Sequence, residues 1–398
     1  MRILMLDNEF PPLGGGMGTL NEALLRHFAD VPGLEIDLIT AALGAQSESE
    51  YFADRIRLFK QPVRNRNLHH SSNRELITYA GRALALGAKL HRAHPYDLCF
   101  AWSALPAGAV ALALRRWMGL RYIVWVSGPD IPGFERRYRR IYPLLTPLIR
   151  AVWRHADLVI AKCEEEIAMI RRVDSRMAPY LIPNAVELAA FQPAPSIPDD
   201  GPLHVICVAR LIERKGQEQL IQAARRLADE GIDITVSLVG TGDSLEAYRA
   251  MAARLGVVDR VRFVGYVPRC EIPQHLAAAH VFALPSYNEG MAVAALEAMA
   301  AGLPLVLTRT GGTGELVEEG VNGFTFAWAD VDALVTHLRC LALDRGLARR
   351  MGAESRRRVE RFSWETVAQQ YLTLFNEHAA PIDSGCRQPS QTTGVLGA

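Results

Sequence analysis

The chain has 398 residues, 49% of them hydrophobic and 22% charged, and a formal net charge of +1. That length exceeds what one hydrophobic core usually serves, so two domains are expected, and the near-neutral balance argues against a nucleic-acid partner. The neutrality averages two unlike parts: residues 1–180 hold 24 Lys and Arg against 18 Asp and Glu, a balance of +6, and the rest holds 20 against 25, a balance of −5. A basic first half can face an anionic surface or ligand.

Six strand patterns come first, at 3–6, 36–40, 56–59, 98–102, 122–126 and 158–161. Helical patterns lie between most of them, at 19–29, 75–91, 107–118, 135–154 (interrupted by Pro143 and Pro147) and 164–171. Near-continuous apolar strands separated by helices imply a parallel sheet covered on both faces. Pro183-Asn184 and the Pro-rich stretch 193–202 then read as a linker. The alternation starts again with strands at 205–209, 234–239, 261–264, 281–284 and 305–307 and helices at 217–230, 244–255, 272–278 and 291–301. From Val331 to about His378 the chain is mostly helical, with Ser363 as a cap, and 379–398 reads as a disordered tail. The expected fold is therefore α/β, two doubly wound parallel-sheet units facing across a cleft, with ligands beyond the carboxyl ends of the strands.

The six cysteines are scattered, with no CxxC pair and no His at metal spacing. Cys99, Cys207 and Cys340 fall in apolar or helical stretches that suit buried thiols. The most apolar later run, Leu105 to Leu114, is short of a membrane span, and Met1-Arg2 lead straight into a strand, so the reading is cytoplasmic.

Pro285 to Val306, PSYNEGMAVAALEAMAAGLPLV, carries the clearest chemistry: a turn, Glu289-Gly290, a small-residue helix bearing Glu297, a stop at Gly302 and a buried strand. The two carboxylates lie about 12 Å apart along a helix axis, too far for a hydrolytic pair on one bond. They suit opposite ends of an elongated ligand whose phosphates meet the helix N-terminus. Four strand-end loops accompany them. Pro11 to Gly18 brings Gly14, Gly15 and Gly16, which let backbone N–H groups approach a phosphate or form a simple flexible turn. ARLIERKG places Arg210 and Lys215 five positions apart, suited to a pyrophosphate or to solvent, with Glu213 and Arg214 expected at the surface. Val239-Gly240-Thr241-Gly242-Asp243 is a second Gly turn, and Gly265-Tyr266-Val267-Pro268 offers a backbone edge to a planar base.

Taken in order, DNEFPPLGGGMGTL, LIPNAVELAAFQP, VARLIERKG, LVGTGD, FVGYV, the PSYNEGMAVAALEAMAAGLPLV block and FSWETVAQQYL resemble retaining glycosyltransferases of family 4. The resemblance implies the GT-B fold, with an acceptor-side Rossmann-like domain at 1–183, a donor domain at 184–362 and a closing helix at 363–378 that returns to the first domain. It implies that Arg210 and Lys215 hold a donor diphosphate, that Glu297 bonds ribose and Glu289 the donor sugar, and that amides of Gly290, Met291 and Ala292 meet phosphate. Gly15 and Gly16 would close from the opposite domain. Gly240, Tyr266 and Val267 belong to the donor side. The family's His-Gly-x-Asp stands here as Ser127-Gly128-Pro129-Asp130, which leaves Asp130 for the acceptor side or as a helix-terminal carboxylate.

The implied reaction moves a sugar from a UDP- or GDP-sugar to a saccharide or lipid-linked saccharide, in cell-surface polysaccharide, lipopolysaccharide or glycolipid synthesis. No metal or other cofactor is expected. A nucleotide-sugar epimerase and a non-catalytic sugar-nucleotide-binding subunit are the alternatives. Residues 134–154, FERRYRRIYPLLTPLIRAVWR, set Arg136, Arg137, Arg139 and Arg140 beside apolar and aromatic residues. They read either as a peripheral contact with an anionic membrane at the inner face of the cell membrane or as a helix with one charged solvent face.

Overall fold

The computed structural model describes residues 1–64, 71–193 and 201–379. Most of the expected linker, the tail beyond Ala379 and Cys386 lie outside these residues. The first half runs β1 (Arg2–Leu6), α1 (Gly16–Phe28), β2 (Glu35–Ala42), β3 (Glu48–Ala53), β4 (Ile56–Pro62), α2 (Asn73–Ala93), β5 (Leu98–Ala101), α3 (Ala109–Met118), β6 (Tyr122–Trp125), α4 (Tyr142–His155), β7 (Leu158–Ala161), α5 (Glu164–Val173) and β8 (Tyr180–Leu181). The eight strands form one sheet in the order β3-β4-β2-β1-β5-β6-β7-β8, parallel throughout except where β3 pairs antiparallel with β4. Ile3 to Leu6 and all of β5 and β6 are buried, as strands covered on both faces must be. Local chemistry sets the helix ends. At α2 the Ser72 N–H donates to Glu75 at 2.6 Å and the Glu75 N–H to Ser72 Oγ at 3.4 Å. Gly119, at φ +75°, stops α3 in the left-handed conformation.

The second half runs β9 (Leu203–Val208), α6 (Gln217–Asp229), β10 (Ile234–Val239), α7 (Leu245–Arg254), β11 (Val261–Gly265), α8 (Ile272–Ala277), β12 (Val281–Leu284), α9 (Val293–Ala300), β13 (Leu305–Thr308), α10 (Thr313–Leu316), β14 (Gly323–Phe326), α11 (Val331–Leu343), α12 (Arg345–Arg358) and α13 (Trp364–Ala379). Its six strands are all parallel, ordered β11-β10-β9-β12-β13-β14. Each sheet reverses its winding once, between β1 and β5 and between β9 and β12.

The closing helix α13 leaves the second sheet. Val186 N–H donates to Phe362 O at 2.9 Å and Trp364 N–H to Val186 O at 3.3 Å, which steers it back. Its Trp364, Tyr371 and Phe375 are buried in the first sheet's core with Phe28, Phe100 and Trp102. Phe375 lies 5.2 Å from Phe100 and 5.8 Å from Phe28 between ring centroids. Ser363 Oγ accepts from the Thr366 N–H at 3.2 Å and caps the first turn.

Four expectations are corrected. Strands β3, β8 and β14 join the sheets although no strand was expected there. The helix expected from Glu135 begins at Tyr142, with Pro143 in its first turn, where it costs no backbone hydrogen bond, and Pro147 inside it; Arg136–Tyr138 form a separate 3-10 turn. The helix expected from Met291 begins at Val293, with Ala292 as its cap in extended conformation. Cys340 is exposed on α11, whereas Cys99, Cys163 and Cys207 are buried; helical periodicity turns Cys340 outward while Leu338 and Leu341 face the core.

Candidate active site

Open parallel sheets bind ligands outside the carboxyl ends of the strands where the winding reverses. At the first reversal stand the glycine loop after β1 and the segment after β5. At the second stand the ARLIERKG loop after β9 and the PSYNEG loop after β12.

After β9 the chain makes a short 3-10 turn over Glu213–Lys215 and reverses at Gly216, φ +67°. A Cβ there would lie 2.1 Å from Pro285 O, so only glycine lets this loop touch the next one. The Tyr287 N–H donates to Arg214 O at 2.7 Å, fastening the loops together. Lys215 Nζ consequently meets Glu289 Oε1 at 2.5 Å, both side chains largely buried. Burial pushes the Glu289 carboxyl up, but Lys215 and then Arg214 outweigh it and hold it below the usual glutamate range. Glu289 is therefore an anion at neutral pH. Arg210 is exposed at the same strand end, and its carbonyl accepts from Gln217 Nε2 at 2.9 Å.

Gly290, Met291 and Ala292 lead into α9, which has no acidic side chain in its first turn and no side-chain cap, so no side chain of its own compensates its N-terminal dipole. Gly290 and Ala292 line a small recess with Glu289, Thr308 and Thr310. Glu297, in the body of α9, is buried, and Arg269 Nη2 stands 3.6 Å from its Oε1. Burial pushes the Glu297 carboxyl up to about 7 against the pull of Arg269. Tyr266 is 70% exposed on the loop after β11, with Val267 half-buried beside it. Gly240, φ +133°, packs its Cα against the arginine loop: a Cβ would lie 2.1 Å from Ala209 O.

On the opposite side Gly15 and Gly16 are exposed, and a Cβ on either would meet nothing within 4 Å, so the protein's own packing does not demand glycine there. The Glu9 carboxylate accepts from the Gly15 N–H at 3.0 Å and lies at the start of α1. Asp130 is buried, and its carboxylate accepts from the Ala104 and Ser127 N–H groups at 2.9 Å each and from Leu105 N–H at 3.3 Å. Burial still pushes its carboxyl up to about 6. Its carboxylate is thus engaged by three backbone N–H groups.

Two residues escaped sequence reasoning. Lys162 is buried, its Nζ 2.7 Å from Glu166 Oε1, 2.8 Å from Val126 O and 4.3 Å from the centre of the Trp125 ring. A Cβ on Gly290 would come within 2.8 Å of Lys162 Cε, so the donor-side loop lies directly against it. Arg214, expected at the surface, is half-buried with its Nη1 donating to Asn288 O at 3.0 Å. Lys162 and Glu166 stand at i,i+4 spacing, which could have suggested their pairing, whereas the Arg214–Asn288 contact, 74 positions apart, has no local signal. Among the described residues no group of three or more His, Cys, Asp or Glu could hold a metal ion, and no helix is long and apolar enough to cross a membrane.

Residues 14–190 match the family model described as Glycosyltransferase Family 4, and residues 190–358 match that described as Glycosyl transferases group 1. The chain belongs to glycosyltransferase family 4. The transferase is 28% identical over 401 residues to the GDP-mannose-dependent alpha-(1-6)-phosphatidylinositol monomannoside mannosyltransferase of Mycolicibacterium smegmatis, covering 94% of this chain and 98% of that protein. Its fold matches sucrose-phosphate synthase of Thermosynechococcus elongatus with a TM-score of 0.81 at 24% identity, over 94% of this chain and 98% of that one. It also matches HepE of Anabaena in complex with UDP, TM-score 0.75 at 22% identity, over 95% and 100%. The two parallel-sheet units are the GT-B architecture.

Proposed function

We propose that this glycosyltransferase takes a nucleoside-diphosphate sugar in the cleft and transfers the sugar, with retention at the anomeric carbon, to a saccharide or lipid-linked saccharide. The observation that carries the reading is the Lys215–Glu289 pair, 2.5 Å apart, beside the uncapped start of α9 at the second winding reversal. In this arrangement Lys215, Arg210 and the amides of Gly290, Met291 and Ala292 hold the diphosphate. Glu289 accepts from hydroxyls of the sugar, Glu297 from the ribose, and the Gly240 and Tyr266–Val267 turns flank the nucleoside. Gly15 and Gly16 close over the phosphates. The domains we assign are 1–183 with 363–378, and 184–362.

When the anomeric C–O bond breaks, negative charge grows on the departing diphosphate. The ammonium of Lys215 and the guanidinium of Arg210 stabilise that charge in a site already shaped to hold it. The acceptor oxygen attacks from the side the diphosphate leaves, and a phosphate oxygen takes its proton, which yields retention. We assign Asp130 to supporting the acceptor-side loop, since three backbone N–H groups engage its carboxylate.

The Mycolicibacterium relative is named for GDP-mannose and a phosphatidylinositol mannoside, and HepE has been solved with UDP and with UDP-glucose. UDP- and GDP-sugars are accordingly the first donors to test. The lipid acceptor suggested by the relative's name agrees with the leading end of α4, where Leu144 is 80% exposed beside Ile141, Leu148, Arg139 and Arg140. Such a surface suits peripheral contact with an anionic membrane.

Nucleotide release from a panel of UDP-, GDP- and ADP-sugars tests the reading. One donor is expected to turn over slowly without acceptor, and Lys215→Ala to lower its kcat/KM by about 100-fold or more. Unchanged kcat/KM in Lys215→Ala would overturn the diphosphate assignment.

A further inference from the structure

Three consecutive residues of the first half, Phe134, Glu135 and Arg136, meet the loop that carries Glu289 and the arginine loop fastened to it. Phe134 O accepts from Asn288 Nδ2 at 2.7 Å. Glu135 Oε1 lies 3.7 Å from Arg214 Nε. The Arg136 guanidinium carbon lies 4.2 Å from the centre of the Tyr287 ring. Arg214 is the common member, because its Nη1 also donates to Asn288 O and its own carbonyl accepts from the Tyr287 N–H. One guanidinium therefore ties the residue before Glu289 to the opposite side of the cleft.

Burial makes this more than a surface contact. The side chains of Arg214 and Glu135 are 24% and 10% exposed, so the pair is largely shielded from screening by water. Nor is the first-half anchor loose. The Glu135 N–H donates to Tyr142 Oη at 3.3 Å, and the Tyr142 hydroxyl donates to Pro129 O at 3.0 Å. The Phe134 ring fills the space beside Gly128, where a Cβ would lie 2.5 Å from its edge. The segment is thus fixed to the loop that Asp130 caps. Its other end leads into α4.

We propose that Arg214 is a positioning residue for Glu289, and that its ion pair with Glu135 makes the geometry of Glu289 depend on the two halves being together. This rests on the donor-site reading given above. Arg214 touches no reacting atom: its guanidinium is committed to Asn288 O and Glu135, while its neighbour Lys215 holds Glu289 itself. With the halves apart, Arg214 loses Glu135 and the Asn288 amide loses Phe134 O, and Glu289 is left on a loop held from one side only. Removing Arg214 therefore lowers turnover while sparing nucleotide binding, because Glu289 is assigned to the sugar and UDP and GDP carry none.

The test is a double-mutant cycle on the full chain with Glu135→Ala, Arg214→Ala and the double variant. Donor turnover is read as nucleotide release, and binding of UDP and GDP by calorimetry. Each single variant is expected to lower kcat about tenfold, as removing a partner from a partly buried ion pair does, while nucleotide affinity stays within about twofold of wild type. The double variant should lose no more than the worse single one. Additive losses, an unchanged kcat in Arg214→Ala, or a fall in affinity matching the fall in kcat would each overturn the proposal. Should Arg214→Ala not fold, Glu135→Gln keeps the shape of that side chain and answers the same question through kcat. Lys215→Ala is run alongside. If it too leaves turnover untouched, the donor-site reading has failed rather than the coupling.

Discussion

Glu297→Gln removes the titration of a buried carboxyl while keeping its shape. In the folded protein burial lifts that carboxyl from 4.5 to about 7. The folded state therefore keeps a proton that the unfolded chain gives up near 4.5. Its contribution is fully present below 4.5 and is lost as pH rises through about 7. At about 1.36 kcal/mol per pH unit, the interval corresponds to about 3 kcal/mol. Arg269, about half exposed at 3.6 Å, offsets little of this because water screens it. Asp130, pushed up to about 6, titrates in the same direction but is common to wild type and variant, so it cancels in their difference. Urea denaturation at about pH 5 and about pH 7.5 should show wild type losing most of that 3 kcal/mol relative to Glu297→Gln. Nucleotide affinity should move oppositely: an ionised Glu297 accepts from ribose hydroxyls, so binding tightens toward pH 8 in wild type and stays flat in the variant. Parallel stability curves for the two proteins would refute the reasoning, since Glu297 would then ionise in the folded state as easily as in the unfolded chain.

Two further outcomes follow from local geometry. Gly216→Ala forces a Cβ to 2.1 Å from Pro285 O at φ +67°, so the loop must withdraw from its neighbour. A stability loss of about 2 kcal/mol or more, seen in urea, should accompany a fall in kcat/KM, and normal values of both would show that the two loops are not held together as described. At the start of α4, Leu144→Glu combined with Arg139→Ala and Arg140→Ala should abolish co-sedimentation with phosphatidylglycerol vesicles while leaving donor hydrolysis unchanged. Failure of wild type to sediment at low salt would remove the lipid reading altogether.

The parallel core was legible because strands such as Arg2–Leu6 and Val281–Leu284 are apolar on both faces, and a buried sheet requires that. The loops were legible because glycine and proline punctuate them where strand ends meet helix starts. Strand β3, ESEYFA, was not, since it lies exposed at the sheet edge and carries polar residues. Strand β14, GFTF, was hidden because it opens on glycine and is only partly buried, so it lacks the continuous apolar run of the central strands. Within the site, residue types at strand ends pointed to Arg210, Lys215, Glu289 and Glu297, but their partners did not follow from spacing. The Ala104 and Leu105 amides that Asp130 engages lie 26 and 25 positions away, and Glu135 stands 79 positions before Arg214. Such pairings depend on packing within one unit for Asp130 and between the two units for Glu135, which no local pattern records.

The return of α13 has a consequence for how the chain is made. Phe100 and Trp102 emerge early in synthesis, but their cover, Tyr371 and Phe375, is nearly the last part of the described chain to appear. The first unit must wait with an aromatic face open while the whole second unit is translated, and the second can complete its core in the meantime. A nascent chain paused before residue 364 should therefore present a sticky surface to chaperones and proteases, and release of the final helix should close it.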